Sequence, residues 1–153
     1  MIKLILRPND ISEIVGFNGN IDVNQLKPMI ETSQRISLKN VFGDDLLTKL
    51  QEPILTGVYV TILENFAIPI LAWHSASLYL SLNTIKTANN GSYKLSGNNG
   101  DALPTASEIK DMALSYKNVA ISYENQFLEF MKTQNIPEFK QENRTTNRII
   151  PWY

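Results

Sequence analysis

No cysteine occurs among the 153 residues, and His74 is the only histidine. Without cysteine the chain has no disulfide, no thiolate metal site and no cysteine nucleophile, a composition compatible with a reducing compartment. An excess of one charge is missing too: 14 basic residues face 15 acidic ones, and neither sign forms a block. The electrostatic footprint of a dedicated nucleic-acid binder is therefore absent. Residues 1–7 carry too short an apolar run for the hydrophobic region of a secretory signal, so an unprocessed intracellular start is expected. Residues 65–85 lack Asp, Glu, Lys and Arg altogether, over a length that could span a bilayer. Seven of these 21 residues are polar, and no Lys/Arg cluster flanks them, so the segment reads as a buried helix and no membrane contact is expected.

What is present is helical periodicity. At this length one domain is expected. It divides into a helical body over 1–133, with a loop insertion at 88–103, and an extended docking tail over 134–153. Ile2, Leu4 and Leu6 alternate with Lys3 and Ile5 as in a short arm or edge strand, which Pro8 would stop. Its partner would be the Tyr93–Leu95 region or a neighbouring subunit. Gly16 and Gly19 mark a loop. Asp22 and Gln25 stand at capping-box spacing. Pro28 either ends a separate first turn or lies in the first turn of the main helix. Ile30, Ser33/Gln34, Ser37/Leu38 and Val41 recur at helical spacing, Gly43 can take a left-handed position after that helix, and Asp44 and Asp45 can open the next one. From Leu55 onward the stripe is Tyr59, Ile62, Phe66, Trp73, Ala76 and Leu80, with Pro69 expected to kink or split the helix. Ala72, Ser75, Ala76 and Ser77 are small enough for another helix to approach closely.

Two Asn-Asn-Gly triplets, at 89–91 and 98–100, are tight-turn signals. They make 88–103 a projecting loop or short hairpin. Thr105-Ala-Ser-Glu108 is a second capping box, opening a helix striped by Ile109, Met112, Tyr116, Ala120, Tyr123, Phe127 and Phe130. The fold class expected is mainly α: a four-to-five-helix bundle with a projecting Asn/Gly-rich loop or short hairpin and extended N- and C-terminal arms.

No catalytic motif emerges. His74 is the one side chain suited to general-base work near neutral pH, but no carboxylate stands at helical spacing to orient it. Asp44 and Asp45 read as helix-capping acids, and Glu52, Glu64, Glu124 and Glu129 as solvated faces. The glycines at 91, 97 and 100 are not followed by the Lys-Ser/Thr of a phosphate loop. No metal, cofactor or enzymatic activity is expected. The aromatic stripe could stack bases, yet its helical spacing makes it core. Lys140, Arg144 and Arg148 form a modest basic tract that suits nucleic-acid backbone or an acidic protein surface equally. The apolar tip beyond it is the segment with most functional promise, since exposed aromatics anchor interfaces.

The run Ile30-Glu-Thr-Ser-Gln-Arg-Ile36, followed by Val41-Phe-Gly-Asp-Asp-Leu-Leu47, resembles the first helix, glycine break and second helix of the small helical head-to-tail connector proteins of tailed bacteriophages. The uncharged third helix, the Asn/Gly-rich loop, the Tyr-rich fourth helix and the tail over 144–151 look like versions from phages of gut Bacteroidota, including the crAss-like group. The resemblance implies a non-enzymatic virion protein, assembled in the host cytoplasm. It would form a homo-oligomeric ring, typically twelvefold, at the portal–tail junction around the DNA channel. Its partners would be the portal protein, other ring or tail proteins and, without sequence specificity, packaged DNA. Tail residues Arg144, Arg148, Ile149, Ile150, Pro151, Trp152 and Tyr153 would dock on the portal or a neighbouring subunit. Loop residues Asn90, Tyr93, Lys94, Leu95 and Asn99 would meet the next tail component. An intracellular helical protein-binding module of unrelated function shares the same composition.

Overall fold

A computed structural model describes residues 3–17, 23–82, 86–88, 91–93 and 105–140. The chain is mainly α. Its first helix, α1 (Pro8–Val15), stands where the sequence suggested only the end of an arm. Pro8 occupies the first helical turn, where its missing N–H has no helical partner to lose. Gly16, at φ 74 and ψ 34, closes the helix by donating its N–H to the Ser12 carbonyl at 3.0 Å.

The next helical stretch comprises α2 (Val23–Ser33), a π-helical segment (Gln34–Leu38) and α3 (Lys39–Leu50). Leu26, Ile30, Gln34, Leu38 and Phe42 are all buried along it, four residues apart each time. In a continuous α-helix of about 3.6 residues per turn, such a row would drift off one face. The wider π turn, closed by i→i+5 bonds, brings it back. Pro28 lies inside α2, deeper than the first turn allowed for it, on the exposed side. Asp22, the proposed cap, falls outside the described residues. Gly43 breaks α3 with φ 81 and ψ 169, which is not the left-handed helical cap expected but an extended positive-φ conformation open essentially to glycine.

The third helical stretch repeats the device. Helix α4 (Val58–Ile62) runs through a π-helical segment (Leu63–Ala67) into α5 (Ile68–Leu82). Pro69 has no N–H for the carbonyl of Asn65, and its ring would crowd that turn. Asn65 sits within the π segment, so the widened turn takes up the misfit. One consequence is a change of face. Ile62 and Ala67, five residues apart, are both buried, followed by Ile70, Leu71, Ser75 and Ala76, while Trp73 and Leu80 from the expected stripe are only half-buried.

The small residues of α5 do admit a neighbour. Helix α6 (Ala106–Met131) makes the most extensive helix pairing of the fold with α5, burying Ala113 and Ala120 against it. Across that interface Ser77 Oγ donates 2.7 Å to the carbonyl of Ala113. The buried row of α6 is Ala113, Ala120, Phe127 and Met131, so Met112, expected in the core, is instead 44 % exposed. Helix α6 opens with the capping box foreseen: the Glu108 N–H donates to Thr105 Oγ1 at 3.2 Å, and the Thr105 N–H donates to Glu108 Oε2 at 2.7 Å. The Thr105 N–H, and after it the Thr105 hydroxyl donating to the same Oε2 at 2.8 Å, hold the Glu108 carboxyl below its ordinary pKa.

Helix α5 also meets α1 and α2, placing it at the centre of the described fold. The deepest aromatic contact stacks Phe42 of α3 on Phe127 of α6, with ring centroids 4.1 Å apart. Between α5 and α6, β1 (Lys86–Ala88) and β2 (Gly91–Tyr93) pair antiparallel with Ala88 opposite Gly91. These two short strands flank the first Asn-Asn-Gly triplet, whose Asn89 and Asn90 lie outside the described residues. Residues 94–104, the rest of the expected loop, lie outside the described residues.

Candidate interaction site

The N-terminal arm is not a strand, but it is held as a strand would be. Gln34, 1 % exposed, accepts from the Ile5 N–H through Oε1 at 3.0 Å and donates from Nε2 to the Lys3 carbonyl at 2.9 Å. One carboxamide thereby supplies both bonds that a neighbouring β-strand would offer around Leu4. Gln51 Nε2 adds a 3.1 Å bond to the same Lys3 carbonyl, and Leu6 is buried to 2 % exposure. The arm's partner is thus two glutamines of the helical body. Helical spacing alone places Gln34 on the inner face but assigns it no such role. A polar residue recurring on an apolar stripe was the available signal.

An open groove of about 760 Å³ runs beside this arm, lined among others by Gln34, Arg35, Lys39, Asp44, Thr48 and Gln51. Its charges are largely used locally: Lys39 pairs with Asp44 at 3.0 Å and Lys49 with Glu52 at 2.7 Å, both at exposed positions. Solvent screens such pairs, so they add little to stability. The groove holds no imidazole, and nothing in its lining resembles a nucleophile with its base.

His74 does have an orienting carboxylate, which its own helix could not reveal. Its Nε2 lies 2.6 Å from Glu124 Oε1 on α6, with the two side chains 12 % and 19 % exposed. Glu124 is therefore a partner in the α5–α6 interface and not a solvated face. The His74–Glu124 pair joins α5 to α6. Among the described residues no group of three or more His, Asp or Glu could hold a metal ion. No described helix is long and apolar enough to cross a membrane.

The C-terminal segment is anchored further along than position 133. After α6 the chain turns, with the Phe139 N–H donating 3.1 Å to the Ile136 carbonyl. Ile136 is buried, and Phe139 meets Phe127 edge-on at 5.4 Å. Tyr59 of α4 donates its hydroxyl to Glu138 Oε2 at 2.8 Å, and Lys49 Nζ sits 5.4 Å from the Tyr59 ring centroid. Lys140 closes the described segment 3.5 Å from Asp45. The Glu138 carboxylate raises the Tyr59 pKa, chiefly by accepting its hydroxyl, and the Glu52 carboxylate likewise raises that of Lys49. Asp45, read from the sequence as a helix-opening acid, is also the tail's last described contact. The tail positions Arg144, Arg148, Ile149, Ile150, Pro151, Trp152 and Tyr153, and the loop positions Asn90, Lys94, Leu95 and Asn99, lie outside the described residues. Tyr93 ends β2, paired through its backbone with Lys86.

Comparison with known proteins adds a family but no activity. A model described as a family of unknown function, DUF6712, matches residues 38–149, well over half of the chain. No curated protein and no solved structure matches.

Proposed function

The chain belongs to the DUF6712 family of unknown function, and we propose that it serves as a head-to-tail connector of a tailed bacteriophage. In this reading it is a structural virion protein, without catalytic activity or cofactor. It forms a ring, typically of twelve copies, between the portal protein and the tail, around the DNA channel. Each subunit is a four-to-five-helix bundle with a projecting Asn/Gly-rich loop and extended arms.

The observation that carries the proposal is the helix–break–helix unit over residues 30–47. The residues on which the connector resemblance rests are those whose core-facing segments, buried at Ile30, Leu38, Phe42 and Leu46, are divided at Gly43 by a positive-φ break. Two further features suit a ring subunit. The near-neutral charge favours packing between proteins, and an anchored segment over 134–140 leads directly into a tail with an aromatic tip.

The test is the mass of the purified protein by light scattering, alone and then mixed with purified phage particles from its source. A closed oligomer of about twelve copies, or stable association with particles, is the expected result. A protein that stays monomeric or dimeric and binds no particle would overturn the connector in favour of a helical protein-binding module.

A further inference from the structure

We infer that residues 132–140 form a lock that sets the point and direction from which the C-terminal tail leaves the core, with Tyr59 as its positioning residue. The inference rests on the tail being the docking element of the proposed connector.

Four contacts of different chemistry converge on this short segment. Ile136 is buried in the core, and the Phe139 ring stands at 85° to Phe127. The Tyr59 hydroxyl reaches Glu138, and Lys140 reaches Asp45. The apolar pair holds the segment against the body through contacts that have little directional preference. The directional contact is the Tyr59–Glu138 hydrogen bond, because a hydrogen bond of 2.8 Å is restricted in both distance and angle. Tyr59 is itself braced from the other side by Lys49 over its ring, and Lys49 in turn by Glu52.

The position of the lock gives it a consequence for docking. Only Lys140 separates Glu138 and Phe139 from position 141, where the rest of the docking tail begins, so the lock fixes the base of that tail. Fixing one end of a segment at a defined point raises the local concentration of its far end around that point. It also removes part of the ordering entropy that binding would otherwise cost. A tail released back to Met131 would be longer by the whole lock and would search a larger volume.

The experiment compares three full-length proteins, Tyr59→Phe, Glu138→Gln and the wild type, with a deletion of residues 143–153. Hydrogen exchange reads the lock, and co-sedimentation with purified phage particles reads docking. Tyr59→Phe keeps the ring and its packing but removes the donor, so exchange at the Phe139 amide should quicken at least several-fold. Particle association should fall by a similar factor while the melting temperature stays close to wild type. Glu138→Gln keeps an acceptor oxygen for the Tyr59 hydroxyl and should hold both readouts near wild type, which a merely packing role for Tyr59 would not require. Unchanged exchange in Tyr59→Phe would overturn the lock. Faster exchange with undiminished association, in a protein whose tail deletion abolishes association, would overturn the positioning role alone. Association that survives the tail deletion would overturn the docking reading and the positioning role with it, and the lock itself would then stand or fall on the exchange rates.

Discussion

At the scale of single residues, the side chains that matter most are polar ones whose partners lie far away in sequence. Gln34 is the clearest case: helical spacing puts it on the inner face, and only the fold brings Lys3 and Ile5 to it. Replacing it with alanine leaves the Ile5 N–H without an acceptor, a loss of about 1–3 kcal/mol. The expected outcome of Gln34→Ala is a lower unfolding midpoint in urea together with faster exchange of the Ile5 amide. An unchanged Ile5 amide would show that the arm is held by Leu6 alone. Tyr59 carries a second prediction. Because the Glu138 carboxylate accepts its hydroxyl, its folded pKa lies above the ordinary 10.0. A raised pKa contributes stability that is present below the unfolded value and lost as pH rises through the folded one. Alkaline absorbance titration should therefore show one tyrosine ionising late, and in Glu138→Gln that step should move back toward the ordinary range. His74 and Glu124 make the same point without a titration: each looked solitary on its own helix, yet they meet across two.

At the scale of elements, the start of α6 and the break at Gly43 were legible while the buried faces were less so. Thr105 and Glu108 announced the start of α6 because a capping box is a local arrangement, complete within four residues. The Glu108 pKa lies below its ordinary 4.5, so its contribution is present above that value and lost as pH falls through the folded pKa. Exchange in the first turn of α6 should accordingly quicken as pH drops through the carboxylate range, after correction for intrinsic rates. Glu108→Gln, which cannot titrate there, should flatten that dependence. Gly43 was equally visible as a break, though its conformation differs from a standard helix cap. With φ 81 and ψ 169, Gly43→Ala is expected to cost about 1–3 kcal/mol of backbone strain, read as a lower midpoint in urea. A neutral substitution would mean the break can relax into helix. Two of the three long helical stretches contain a π segment, and one widened turn rotates every later residue to a different face. Met112 moved out and Ala113 moved in because packing against the small residues of α5 favours the alanine side of α6. Helix α1 was missed because Pro8 was read as a stop, when proline serves equally well at the first helical position.

At the scale of the whole molecule, both ends of the described chain fasten to the helical body. The N-terminal arm is gripped by Gln34 and Gln51, and the C-terminal segment rests on Phe127, Tyr59 and Asp45. The body should therefore be separable from the last residues of the tail. Deleting residues 143–153 is expected to leave the helical circular-dichroism signal and the unfolding midpoint unchanged while abolishing oligomer formation or particle association. Intact assembly after the deletion would sink the tail as docking element. Truncation at 133 should behave quite differently, since it removes Ile136 and Phe139 from the core. Losing two such apolar contacts costs on the order of several kcal/mol, so that protein should unfold at a visibly lower temperature.

By itself the amino-acid sequence determined the helical class, the Thr105–Glu108 cap, the break at Gly43 and the absence of cysteine. All of these depend on composition or on neighbours within a turn or two. Only the tertiary structure decided which face of each helix is buried, that the arm is bound by glutamine side chains, that His74 meets Glu124, and that the chain stays anchored through Lys140. Those outcomes depend on groups far apart along the chain, such as Ile5 and Gln34 or Tyr59 and Glu138, and on two π turns whose rotation no fixed period anticipates.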